Sequence, residues 1–97
     1  MLKELHLLIQ DIFETELFDK HSMAALFYLI ESGREMDFDY NGERYFVSRD
    51  GSTKHCSLWK GKTEQAFESM EALSMNALIG ERKFYEIWSD VEIQVLY

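Results

Sequence analysis

Asp37 and Asp39 come closest, by residue type and spacing, to a pair that could do chemistry. Carboxylates two residues apart on an extended strand project from the same side. Paired carboxylates carry general acid–base work in glycoside hydrolysis. That chemistry needs a cleft and one carboxyl held protonated near neutral pH. The surrounding stretch DFDYNGERYF, residues 37–46, reads as a short hairpin that offers neither, and it sets Arg44 opposite Asp39. A solvated strand face is the expectation, and no catalytic residue is assigned. His6, His21, His55 and Cys56 are the soft metal-ligand types. His55 and Cys56 are adjacent on an extended stretch, so their side chains leave opposite faces. There is no CxxC, HxxxH or HExxH spacing, no GxGxxG and no Walker loop. No metal or cofactor is therefore expected, and Cys56 reads as a small core residue.

The elements that position these residues follow from periodicity. Residues 1–32 contain no breaker and read as helical. Leu2, Leu5, Leu8, Ile9, Ile12 and Phe13 share one face at a period of 3.6, and Glu4, Asp11 and Glu14 lie opposite. Glu16 would fall on the apolar face, so the first helix is predicted to end near Thr15. A second helix runs from Ser22 as N-cap to Gly33 as C-cap, with Met23, Leu26, Phe27 and Ile30 as its buried stripe. One long bent helix is the alternative.

After Gly33 the period changes to two. Asn41-Gly42 marks a hairpin turn, since both residues must tolerate positive φ. A two-residue turn pairs Tyr40 with Glu43, Asp39 with Arg44 and Phe38 with Tyr45. A second turn at Asp50-Gly51-Ser52 leads into a third strand over 54–60. Met36, Phe38, Tyr45, Val47, Cys56 and Leu58 then face one way. Asp37, Asp39, Phe46, His55, Ser57 and Trp59 face the other. Residues 63–67 fit either a fourth strand or the start of a helix. Ser69 caps a helix carrying Met70, Leu73 and Ala77. Phe84, Ile87, Trp88 and Val91 mark a short amphipathic helix, and EIQVLY alternates as a final strand. The predicted fold is α+β, a single domain over 1–97: N-terminal helices, then an antiparallel sheet of three to five strands with one or two short C-terminal helices.

Composition limits the function. The chain has 97 residues, 46% apolar and 14% aromatic, which suits one folded core rather than a disordered chain. One cysteine rules out an intrachain disulfide, and together with the absence of a signal-like or membrane-length apolar stretch it points to a cytoplasmic setting. The net charge is −8, with eleven acids against five bases in residues 1–50. Such a surface repels nucleic acid and favours basic partners. Lys54, Lys60, Lys62, Arg82 and Lys83 form at most a modest basic strip beside Trp59, outweighed by the global charge. If helices cover only one sheet face, Phe46 and Trp59 lie on the open one, in the company of charges common at protein contact surfaces. If the N-terminal helices cover that face instead, the packing has three layers.

The runs YNGERYFVS (40–48), AFESMEAL (66–73) and KFYEIWSDVEI (83–93) occur in that order. This resembles small uncharacterised acidic proteins from phages and mobile elements of Gram-positive bacteria. The resemblance covers the last two-thirds of the chain, leaves residues 1–30 outside, and carries no catalytic residues. It implies an inhibitor of host defence, of the anti-CRISPR or anti-restriction type. The reading is thus a non-enzymatic protein-binding module that occludes a basic, nucleic-acid-handling surface, without binding nucleic acid or membrane. Its candidate contact residues are Glu4, Asp11, Glu14, Asp37, Asp39, Phe46 and Trp59. The alternatives are a homodimer pairing through the sheet, with a structural or regulatory role, and a toxin-immunity protein.

Overall fold

A computed structural model describes residues 2–97, with side chains from Glu4 onward. Helices α1 (Leu2–Lys20) and α2 (Met23–Glu31) are followed by strands β1 (Met36–Tyr40), β2 (Glu43–Arg49), β3 (Cys56–Lys60) and β4 (Thr63–Phe67). Then come α3 (Met70–Asn76), a small hairpin of β5 (Leu78–Ile79) and β6 (Arg82–Lys83), α4 (Phe84–Ile87), a 3-10 turn at Trp88–Asp90, and β7 (Glu92–Leu96). The main sheet is antiparallel in the order β4-β3-β2-β1-β7. The architecture is α+β.

The hairpin forms as its turn residues dictate. Asn41 and Gly42 have φ of 50° and 78°, and the register pairs Tyr40 with Glu43, Asp39 with Arg44 and Phe38 with Tyr45. Residues 63–67 resolve as the fourth strand. The third strand starts at Cys56 rather than Lys54, because Lys54 turns into the left-handed region (φ 66°) to close the loop. Asp50 holds that loop. Its carboxylate accepts from the backbone N–H of Thr53 (2.9 Å), the Ser52 hydroxyl (2.8 Å) and the Ser52 N–H (2.8 Å). These bonds, led by the Thr53 N–H, lower its pKa from 3.8 to about 2. A depressed carboxyl stabilises the fold above its unfolded pKa and loses that contribution as pH falls through the folded value. The Asp50 carboxyl should therefore titrate near 2 by NMR, and the Ser52 and Thr53 amide resonances should shift with it as pH falls from about 4 to about 2. Asp50→Asn should remove that acid dependence.

The break between the helices needs neither glycine nor proline. His21 adopts φ 50° and ends α1, and the Ser22 hydroxyl then accepts from the Ala25 N–H at 3.1 Å to start α2. Distant residues hold this junction. The Trp88 indole N–H donates to the His21 carbonyl (2.6 Å), and His21 Nε2–H donates to the Val91 carbonyl (2.9 Å). At the other end of α2, Gly33 (φ 103°) donates to Ile30 and Arg34 N–H donates to Leu29, closing a Schellman motif.

Two expectations for α1 are corrected. The helix runs to Lys20, five residues past Thr15. The face it docks also differs from the predicted stripe: Leu5, Leu8 and Ile12 are exposed, Ile9 and Phe13 of that stripe are half-buried, the Leu2 side chain lies outside the described residues, and Gln10 and Leu17 are buried with Glu14 half-buried. That face is rotated by roughly a third of a turn or more from the stripe, as 100° per residue requires. Glu16 consequently sits at a border, paired with Lys20 at 3.3 Å, and does not stop the helix.

One core joins the layers. The sheet contributes Met36, Phe38, Tyr45, Val47, Cys56 and Leu58. The helices contribute Leu17, Leu26, Leu29, Ile30, Met70, Leu73, Phe84, Ile87 and Trp88. Phe38 stacks on Tyr45 (5.3 Å between centroids) and meets the edge of Phe84 (5.8 Å), which stacks on Trp88 (5.6 Å). The helix over 84–91 is shorter than its pattern implies, yet Phe84, Ile87, Trp88 and Val91 are all buried.

β7 is the predicted final strand with one irregularity. Asp37 pairs with Val95 and Phe38 with Ile93, so Gln94 is an extra residue that bulges from the ladder. The bulge keeps Ile93 and Leu96 against the core and turns Val95 outward. The simple alternation of Ile93, Val95 and Tyr97 on one side does not hold.

Candidate functional site

The helices pack on the core face of the sheet and leave the opposite face open. Register assigns that face. Asp37 lies opposite Phe46, Phe46 opposite Trp59, Trp59 opposite Glu64, Asp39 opposite Arg44 on one side and Glu92 on the other. Cross-strand partners share a side, so these residues form one surface. Its centre is a row of aromatics. Phe46 and Trp59 are half-buried by neighbours on the sheet, and the Tyr97 ring meets Phe46 edge-on at 6.2 Å. The three-layer arrangement, with helices over Phe46 and Trp59, is not the one adopted: Tyr97 remains 57% exposed on this face.

Hydrogen bonds fix the polar groups around that row. The Tyr97 hydroxyl donates to Asp37 Oδ2 at 2.5 Å, and this bond, followed by burial, raises the phenol's pKa above its ordinary value. Arg44 forms a cross-strand ion pair with Asp39, which raises the guanidinium's already high pKa. Ser57 donates to Glu64 Oε2 at 2.6 Å, and the Trp59 indole N–H donates to Ser48 at 3.1 Å. Asp37, Asp39, Glu64 and Glu92 outnumber the central Arg44, so the face is acidic. Each carboxylate either engages a neighbour or faces solvent on a flat sheet. The arrangement suits contact and electrostatic attraction.

Asp37, Asp39, Phe46 and Trp59 therefore come together. Glu4, Asp11 and Glu14 do not join them, since they lie on α1, which packs against α2. Glu4 and Asp11 are exposed there. Glu14 is engaged by Arg34 at 2.7 Å, and Arg34 also donates to Gln10 Oε1 (3.0 Å) and to the Tyr97 carbonyl. Tyr97, Glu64 and Glu92 belong to the face but are absent from the sequence reading. Glu64 was legible once 63–67 is taken as a strand, because β3–β4 parity puts it beside Trp59. Tyr97 was hidden by the Gln94 bulge.

The other chemistry-bearing residues are placed elsewhere. Cys56 is fully buried, and burial, with help from the Glu31 charge, pushes its thiol up to about 11. Only about one thiol in ten thousand is then ionised at neutral pH, which leaves it a poor nucleophile. Glu31 accepts from the Met70 N–H (2.9 Å), capping α3 from the end of α2, and lies 3.7 Å from Arg49. Lys60 is paired with Glu43 at 2.6 Å, which lowers the Glu43 pKa, so the basic strip is partly neutralised. Among the described residues no three His, Cys, Asp or Glu side chains group as a metal ion would require. No helix among them is long and apolar enough to cross a membrane.

Comparison with protein-family models, curated proteins and solved structures finds no match to this chain.

Proposed function

We propose that the chain is a non-enzymatic binding module that presses the open sheet face onto a basic surface of a protein partner. It acts by occlusion, with carboxylates occupying positions that phosphates would take on a nucleic-acid-handling protein. An inhibitor of the anti-CRISPR or anti-restriction kind, which the resemblance implies, is the form this takes. The observation that supports the reading is the row Tyr97–Phe46–Trp59 set among Asp37, Asp39, Glu64 and Glu92 on a sheet face left open by the helices. Aromatic anchors supply most of the affinity at such interfaces, and complementary charge supplies encounter rate and specificity.

The test uses immobilised full-length chain and a Gram-positive host extract. Proteins retained at low salt should elute as ionic strength rises, because exposed charges are screened over ~8–10 Å. The double variant Phe46→Ala/Trp59→Ala should lose them, with a penalty of about 2 kcal/mol or more, roughly thirtyfold in affinity. Retention of the same proteins by the variant, or elution that ignores salt, overturns the reading. A dimer in sedimentation that the double variant abolishes would make the face a self-interface instead.

A further inference from the structure

The first half of α1 carries a second surface, independent of the open sheet face. Leu5, Leu8 and Ile12 are 52%, 56% and 52% exposed. They recur at three- and four-residue intervals, as a helix does when it buries one stripe against a partner. α1 meets α2 through its other face, with Gln10, Phe13 and Leu17. Apolar residues scattered singly on a surface mean little, but a contiguous stripe of this kind marks an interaction site.

Charge selects the occupant. Glu4 and Asp11 border the stripe on one flank, and on the other lies Glu16, whose charge is shared with Lys20 at 3.3 Å. A shallow, open depression of about 250 Å³ at its C-terminal end is lined by Asp11, Ile12, Thr15 and Glu16 of this one helix. A second copy fits poorly. In an antiparallel pair the Glu4/Asp11 flank faces itself, and in a parallel pair Asp11 faces Glu16 of the other helix. The net charge of −8 adds to that repulsion. An anionic membrane is disfavoured for the same reason. An amphipathic helix whose apolar residues are flanked by Lys or Arg satisfies both the stripe and its rims. We propose that the Leu5–Leu8–Ile12 stripe, rimmed by Glu4, Asp11 and Glu16, is a docking surface for a basic amphipathic helix of another protein.

The experiment is an amide NMR titration of the full-length chain with a synthetic peptide about 18 residues long, leucines on one face and lysines on both flanks. A scrambled peptide of the same composition is the control. Shifts confined to residues 4–19, with affinity at least about tenfold above that of the scrambled peptide, are expected. Leu8→Ser/Ile12→Ser should lose that tenfold advantage and Asp11→Asn/Glu16→Gln should weaken binding at low salt. Because Leu8, Asp11 and Ile12 are exposed and Glu16 lies at the border of the packed face, amides outside α1 should be unchanged, which separates lost binding from lost folding. The proposal is overturned by shifts centred on Phe46 and Trp59, by equal binding of the scrambled peptide, by no binding at all, or by concentration-dependent dimerisation through residues 4–12.

Discussion

Phe84→Ala should destabilise the protein by about 3–5 kcal/mol, the usual cost of truncating a fully buried phenylalanine. Phe84 has no solvent exposure and links two layers, edge-on to Phe38 of β1 and stacked on Trp88 beyond α4. Its loss removes two aromatic contacts and leaves a cavity that the surrounding elements cannot all move to fill. Trp88 also holds the His21 carbonyl, so loosening its packing weakens the junction between α1 and α2. Against a total stability of about 5–15 kcal/mol, this approaches global unfolding. Urea denaturation followed by circular dichroism should show a lower midpoint with an unchanged slope. Tyr85→Ala, one residue along and 56% exposed, should fall within about 0.5 kcal/mol of wild type. A Phe84→Ala cost below about 1 kcal/mol would contradict the packing described.

Leu17→Ala should cost about 2–5 kcal/mol, with an uneven spatial signature. Leu17 is fully buried, and α1 meets the body chiefly through α2. The remaining ties are lighter: the Phe13–Tyr28 stack at 4.1 Å, the Gln10–Ser32 hydrogen bond and the Arg34–Glu14 pair. Native-state hydrogen exchange should therefore show α1 opening well before the sheet, as a separate cooperative unit. Amides of β1 and β2 should keep most of their protection. Equal loss of protection in α1 and in the sheet would show that α1 is integral to the global unfolding unit.

What could be read from the sequence was local. Asn41-Gly42 fixed the turn, and parity then carried the side assignments across the residues of β1, β2 and β3, because the side-chain period along a strand is two; His55 falls in the loop before β3, where that parity does not apply. Ser22 and Ser69 announced their helices by the same chemistry that caps them. The failures were long-range. Periodicity placed Phe13 on the docking face correctly, but could not say that the helix would turn Leu5, Leu8 and Ile12 outward and dock through Gln10 and Leu17 as well. The end of α1 depends on His21, held in a left-handed conformation by Trp88 and Val91 some seventy residues away. Tyr97 joined the candidate site only because Gln94 bulges, and no glycine marks that position. Which sheet face lay open was undetermined by sequence, since both faces carry aromatics.

The order β4-β3-β2-β1-β7 also sets a schedule for ribosomal synthesis. β1 to β4 each pair with the strand that precedes or follows them, so those hairpins can zip as they leave the ribosome. β1 cannot complete its other edge until β7 is made, since Met36 pairs with Leu96. Until then the nascent sheet exposes the backbone of β1, a template for mispairing with neighbouring chains. Translation of the stretch between β4 and β7 is thus the interval of greatest vulnerability, and a pause there would lengthen it.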